Sequence, residues 1–239
     1  MRSARAFDCH ENQCAMIEEP PPLVFGAAVE RPPAGLVEGL RGVSTSFIVD
    51  AMGGSGALDW RVRPIVGNSL FGVALTCDCG PNDNLALIAA CSESQPGDVL
   101  VAATGGFAGA AVTGDLLLGV ARNRGVVGFV TDGLVRDLSD LEALNLPVYA
   151  MGVSPNSPGK RGPGAVGLPI ICGGCAVAAG DVVVGDRDGI VVVPRARLAE
   201  TLANLTQVKA AEAAMLKRVR SGLKDLPVAV AARRRDGAA

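Results

Sequence analysis

The run Thr131-Asp132-Gly133-Leu134-Val135-Arg136-Asp137 places one arginine and two carboxylates directly after Val126-Val127-Gly128-Phe129-Val130, which reads as a buried strand. Open α/β folds put ligand sites at the carboxyl ends of their strands. A guanidinium there can clamp a carboxylate through two parallel hydrogen bonds. A lone aspartate completed by water suits Mg²⁺ or Mn²⁺, hard cations that keep much of their hydration. The same residues also have a structural reading. Arg136 and Asp137 can cap a helix over 137–145, where a carboxylate offsets the helix dipole, with Asp140 and Glu142 solvated on its surface.

Other chemistries are excluded or weaker. His10 is the only histidine, which removes Ser-His-Asp, Cys-His and histidine-zinc mechanisms. Gly105-Gly106-Phe107-Ala108-Gly109 lacks the G-x-G-x-x-G spacing and the later acidic residue of a dinucleotide site. It reads as a tight reversal, or as a backbone anion site at a helix start. Cys172-Gly173-Gly174-Cys175 has no second pair at zinc-ribbon spacing, and Cys77-Asp78-Cys79 is too close to supply one. These cysteines read as small core residues, with redox or metal binding as the alternative. Cys9, His10 and Cys14 could bind a metal but lie in an acidic, proline-rich N-terminal stretch.

The elements that must position these residues alternate between strand and helix. Leu36, Leu40, Val43, Phe47 and Ala51 recur at helical spacing. Residues 64–79 read as strand, Asp83 as the N-cap of a helix over 84–92, and 99–103 as an apolar strand. A helix over about 110–124 precedes strand 126–130. Then follow a helix over 137–145, a strand at 147–152, a long surface loop over 153–168, and short strands to residue 194. Asp186-Arg187-Asp188-Gly189 reads as a hairpin connection. Residues 195–221 form a long amphipathic helix. The expected organisation is an N-terminal arm (1–35), a single domain (36–222) and a tail (223–239).

Composition narrows the partners. With 49% apolar and 19% charged residues the chain can bury a core. A net charge of −2 and 3% aromatic residues argue against nucleic-acid binding. No apolar stretch is long enough for a membrane span, and residues 1–19 lack the apolar region of a signal peptide. Seven cysteines without a secretion signal fit reduced thiols in a cytoplasm.

Several motifs in fixed order then carry a resemblance: Asp83-Asn84-Leu85, PGDVLV at 96–101, Gly114-Asp115-Leu116-Leu117, Gly133-Leu134-Val135-Arg136-Asp137 with Asp140, Gly173-Gly174, and GDVVVGDRDGIVVVP at 180–194. Over residues 35–222 the chain resembles the family joining the class II 4-hydroxy-4-methyl-2-oxoglutarate / 4-carboxy-4-hydroxy-2-oxoadipate aldolases with the regulators of ribonuclease activity A. The resemblance implies an α/β, three-layer β/β/α swivelling fold with mixed sheets and a long C-terminal helix. It also implies a homotrimer, sometimes a dimer of trimers, with sites in clefts between subunits. The implied substrate is a small 2-oxo acid and the implied cofactor a divalent metal, Mg²⁺ or Mn²⁺. By match, Gly114 to Leu117 and Arg136 hold the pyruvyl group, Asp137 bears the metal, Asp115 supports it through water, and Asn84 lines the cleft. Asp50 and Glu212 match acidic residues arriving from a neighbouring subunit.

The implied activity is retro-aldol cleavage of a 4-hydroxy-2-oxo acid to pyruvate and a second oxo acid, with oxaloacetate decarboxylation as a side activity through the same enolate. The rival class is a non-enzymatic, protein-binding regulator of ribonuclease activity. Asp140 stands where competent aldolases carry an acidic residue and the regulators do not. Ile88 stands where some aldolases carry histidine, which keeps open an enzyme acting on an unrelated oxo acid.

Overall fold

The computed structural model describes residues 22–228 of the 239. The readings of Cys9, His10 and Cys14, of residues 1–21 of the arm and of residues 229–239 of the tail lie outside the described residues.

The elements run β1 (Leu23–Phe25), α1 (Ala34–Glu38), α2 (Thr45–Ala51), β2 (Arg63–Val66), β3 (Leu70–Asp78), α3 (Leu85–Glu93) and β4 (Asp98–Ala103). Then come β5 (Ala111–Thr113), α4 (Asp115–Asn123), β6 (Gly128–Thr131), β7 (Leu134–Val135), α5 (Leu138–Leu144), β8 (Val148–Ala150) and β9 (Gly152–Val153). The chain finishes with β10 (Gly164–Val166), β11 (Ile170–Cys172), β12 (Cys175–Val177), β13 (Val182–Gly185), β14 (Ile190–Val193) and α6 (Leu198–Arg220).

The architecture is the expected α/β class, with mixed sheets and a long C-terminal helix. The largest sheet runs β1-β10-β3-β4-β6-β8-β2, and β13 and β14 join it beside β3. Its centre, β3-β4-β6-β8, is parallel. Parallel strands are covered on both faces and therefore read as continuous apolar runs. Every residue of β4, Asp-Val-Leu-Val-Ala-Ala, is buried accordingly. One face carries α3, α4 and α5 around Leu87, Leu100, Leu118, Phe129 and Leu141. A second cluster gathers Leu70, Val99, Val130, Tyr149 and Val192 with the hairpin β11–β12. The β13–β14 hairpin packs under α1, α2 and α6 through Ile48, Val182, Val191 and Leu205.

The Asp186–Gly189 turn joins β13 to β14 with Val182 opposite Val193, as the sequence predicts. Cys172 and Cys175 stand opposite each other across a two-residue turn whose Gly173 and Gly174 both have positive φ, the conformation that hairpin turns of this length require. Both cysteines are free thiols, and Cys172 is fully buried.

Three local readings are corrected. The helix expected from about residue 110 begins at Asp115, because Ala111–Thr113 instead pairs with β7. β-branched Val112 and Thr113 suit that pleated environment. The N-cap position of α3 belongs to Asn84 and not to Asp83, although the Asp83 carboxylate does accept the Leu85 N–H at 2.9 Å. The stretch read as a continuous loop over 153–168 contains β9 at its start and β10 near its end, the latter pairing with both β1 and β3. No helix among the described residues is long and apolar enough to cross a membrane.

Asp186 joins α2 to this scaffold by accepting the Thr45 N–H at 2.9 Å and the Thr45 hydroxyl at 2.8 Å. Burial pushes its carboxyl up, but the Thr45 and Asp188 donors outweigh that and hold it below the ordinary 3.8. A carboxyl depressed by folding adds stability that is complete above its unfolded pKa and is lost as pH falls through the folded value. Acid titration of stability should therefore steepen below about pH 4, by linkage to such carboxylates. Asp186→Asn should flatten that slope in urea unfolding measured between pH 2 and pH 6.

Candidate active site

A small sheet of three parallel strands, β5-β7-β9, aligns three chain exits at one end. Thr113 lies opposite Val135, and Val135 opposite Val153, so the next residues emerge side by side: Gly114 from β5, Arg136-Asp137 from β7, and Ser154 from β9. The Arg136 N–H donates to the Thr113 carbonyl at 3.0 Å, fixing the first two exits to each other.

Asp137 occupies the N-cap position of α5 but does not cap it. Its backbone is left-handed (φ 60°, ψ 46°) and its side chain makes no capping hydrogen bond. Aspartate tolerates this conformation better than most residues. The carboxylate is turned instead to Arg136, whose Nε donates to Oδ2 at 3.1 Å. It lies against the backbone of Gly114, where a Cβ would come within 2.1 Å of Oδ2. Only glycine leaves that space, so the requirement at position 114 is steric and φ plays no part in it. Gly114 is also the N-cap of α4 and offers no side chain there. The N–H groups of Asp115, Leu116 and Leu117 thus belong to the helix turn that has no intrahelical acceptors.

The arginine has two anchors: besides Asp137, its Nη1 donates to the Ser157 hydroxyl. Nothing in the sequence singles out Ser157. It lies in a stretch without periodicity, and only the tertiary fold brings it to Arg136. Asn84 is 6% exposed and donates from Nδ2 to the Val112 carbonyl at 3.0 Å. Its Oδ1 is buried without a hydrogen-bond partner, a costly state for a polar atom unless a ligand or water completes it. Beside it, burial pushes the Asp83 carboxyl up, yet the backbone donors of Arg161 and Leu85 prevail and keep it below its ordinary value.

The remaining candidates are spread more widely. Leu116 is 79% exposed next to the site, and Leu117 packs partly onto the core. Asp140 is exposed on the first turn of α5. Asp50 is exposed on α2 and lines a cavity of about 260 Å³ with Thr45, Asp59, Trp60 and Asp188. Glu212 is exposed on α6. The layer of α2 and α6 covers β13 and β14, whereas α4 and α5 cover a different core. A single chain therefore joins Gly114, Arg136, Asp137 and Ser157 but leaves Asp50 and Glu212 apart from them.

Among the described residues no group of three or more His, Cys, Asp or Glu side chains is arranged to hold a metal ion. Asp137 nevertheless keeps one carboxylate oxygen outside its contact with Arg136, and Asp115 opens the adjacent helix. One or two carboxylate oxygens with water completing the shell fit a hard, hydrated dication such as Mg²⁺ and do not fit a ligand-rich zinc site.

Residues 45–192 match the family model described as RraA-like: Aldolase/RraA. The chain is 38% identical over 156 residues to a Halalkalibacterium halodurans protein named "Putative 4-hydroxy-4-methyl-2-oxoglutarate aldolase", covering 65% of this chain and 74% of that one. Among solved structures it resembles Streptomyces coelicolor RraAS2, described as an unusual member of the RNase ES inhibitor RraA protein family (TM-score 0.69, 30% identity, 80% of this chain and 100% of that one). It also resembles the RNA-processing inhibitor RraA from Thermus thermophilis (TM-score 0.59, 27% identity, 64% and 93%).

Proposed function

The chain belongs to the RraA-like aldolase/RraA family, and on that premise we propose that it is a divalent-metal-dependent carbon–carbon lyase. Its substrate would be a 4-hydroxy-2-oxo acid, cleaved to pyruvate and a second oxo acid. The observation that carries this reading is the carboxylate of Asp137, seated against Gly114 beside the guanidinium of Arg136, at the open amino end of α4.

The substrate needs two things from these residues. Its C1 carboxylate and 2-oxo oxygen require donors, which Arg136 and the N–H groups of residues 115–117 supply. Cleavage then places negative charge on the 2-oxo oxygen. Fixed donors directed at that atom stabilise it far more than water does, because they need no reorientation as the charge develops. Asp137, with support from Asp115, would hold the dication, which when bound supplies Lewis acidity at the 2-oxo group. The C4 hydroxyl proton passes to a water assisted by a carboxylate, Asp115 or a neighbouring subunit's copy of Glu212. The C3–C4 bond breaks, C4 becomes the new carbonyl, and the electron pair passes into the pyruvate enolate, which is reprotonated at C3. Oxaloacetate loses CO₂ through the same enolate, so decarboxylation should accompany the aldolase activity.

A trimer, alone or paired, is part of the proposal, since Asp50 and Glu212 could reach such a site only from another copy. Leu116 and Val120 form an exposed apolar pair on α4 beside the site, and contiguous apolar exposure marks contact surfaces. With the five cysteines of the described residues free, a cytoplasmic location belongs to the same reading. The names carried by the solved relatives favour a second reading, a binding regulator of an endoribonuclease. Asp140, one turn beyond Asp137, favours the enzyme.

The test is a coupled pyruvate-release screen over oxaloacetate and 4-hydroxy-2-oxo diacids. Release with Mg²⁺ or Mn²⁺ that EDTA abolishes is the expected result. Tight association with an endoribonuclease and no turnover of any oxo acid would favour the regulator instead.

A further inference from the structure

We infer that the segment 154–161 is a strap that fixes the Arg136 guanidinium, with Ser157 as its positioning residue. This rests on the lyase reading above.

The segment contains no regular secondary structure, yet it is pinned on both sides of Ser157. On one side the Ser154 N–H donates to the Val135 carbonyl at 2.9 Å. The Asn156 carbonyl accepts the Ala111 N–H at 3.0 Å, and Asn156 Nδ2 donates to the Gly109 carbonyl at 2.9 Å. On the other side the Gly159 carbonyl accepts the Asn84 N–H at 3.1 Å, and the Gly159 N–H donates to Asn82 at 2.7 Å. The Arg161 N–H donates to Asp83 at 2.6 Å. These partners are the strands and the loop that carry the site itself: β5 ahead of Gly114, β7 ahead of Arg136, and the approach to Asn84. The position of Ser157 is thereby tied to the strands and loop that carry Gly114, Arg136 and Asn84.

Arg136 is a third exposed and would otherwise sample many rotamers. Two anchors on different nitrogens remove that freedom. Nε is held by Asp137 and Nη1 by the Ser157 hydroxyl. Nη2, with two N–H groups, is the nitrogen left for a ligand carboxylate. A serine hydroxyl that accepts from the guanidinium keeps its own proton to donate, which a carboxylate held by Nη2 could also use.

The experiment titrates oxalate, which mimics the pyruvate enolate, into the Mg²⁺-loaded full chain by calorimetry and measures oxaloacetate kinetics in parallel. Ser157→Ala should weaken oxalate about tenfold, the size of one hydrogen bond to a charged group. It should raise KM by a similar factor, lower kcat less, and leave the melting temperature unchanged. Ser157→Thr, which restores the hydroxyl, should recover both constants. Wild-type affinity in Ser157→Ala, or a threonine variant as weak as the alanine one, would overturn the inference while leaving the lyase reading intact. A wild-type chain that neither binds oxalate nor releases pyruvate would remove the lyase reading, and this inference with it.

Discussion

Arg136→Ala is expected to lower kcat/KM for pyruvate release by about 10²–10³, roughly 3–4 kcal/mol of transition-state stabilisation, the size measured when one fixed oxyanion donor is removed. The loss should be large because a dication held by Asp137 would not replace the N–H donors that the guanidinium directs at the ligand. Among the described residues the ion pair of Arg136 is with Asp137 alone, so removing the guanidinium also frees the carboxylate from the contact that orients it. Arg136→Lys should recover little, since an ammonium cannot hold Asp137, Ser157 and a ligand through three separate nitrogens. Folding should survive, because the side chain is a third exposed and outside the core. Steady-state kinetics with a thermal melt of each variant checks both statements.

Gly114→Ala is the second large effect, and it is the more discriminating one because it adds a single methyl group. The new Cβ would stand 2.1 Å from Asp137 Oδ2 and 3.1 Å from Arg136 Cγ. The backbone at 114 is extended, so alanine meets no conformational strain there. The clash alone acts, and it drives the carboxylate off its seat. Activity should fall by at least about 10², comparable to losing a catalytic carboxylate contact. The carboxylate is itself a third exposed and can swing into solvent, so the melting temperature should move little. Gly119→Ala in the same helix is the control. Its Cβ would meet only Leu144 at 3.6 Å, and alanine in a helix interior is favoured over glycine by up to about 1 kcal/mol. That variant should be slightly more stable and fully active. Kinetics and melts of the pair separate an effect on the site from an effect on the helix.

The residues of the candidate site differ in how far the sequence reveals them, and the differences have physical causes. The β13–β14 hairpin is legible because two valine-rich runs flank an Asp-Gly turn, a purely local signal. β4 is legible because a strand buried on both faces must be apolar throughout. The start of α4 is not. Val112 and Thr113 belong to a three-residue strand that exists only because β7 lies beside it, and no periodicity can register so short a piece. Arg136 and Asp137 stand out after an apolar strand, but capping and ligand binding predict the same residues there. What keeps Asp137 from capping is Gly114, twenty-three positions before it, which makes room for the carboxylate to turn toward Arg136. Ser157 is invisible for a related reason: its segment has no period and its role is set by partners from three other parts of the chain. Asp50 and Glu212 were placed by resemblance, and a single chain does not unite them with Arg136.

A co-crystal of the full chain with Mn²⁺ and pyruvate, the ion located by its anomalous signal, tests whether these residues hold both. The ion is expected on the free oxygen of Asp137, and the pyruvate carboxylate and keto oxygen between Arg136 and the N–H groups of residues 115–117. Both species bound away from residues 114–117 and 136–137, with Asp137 facing only Arg136, would contradict it.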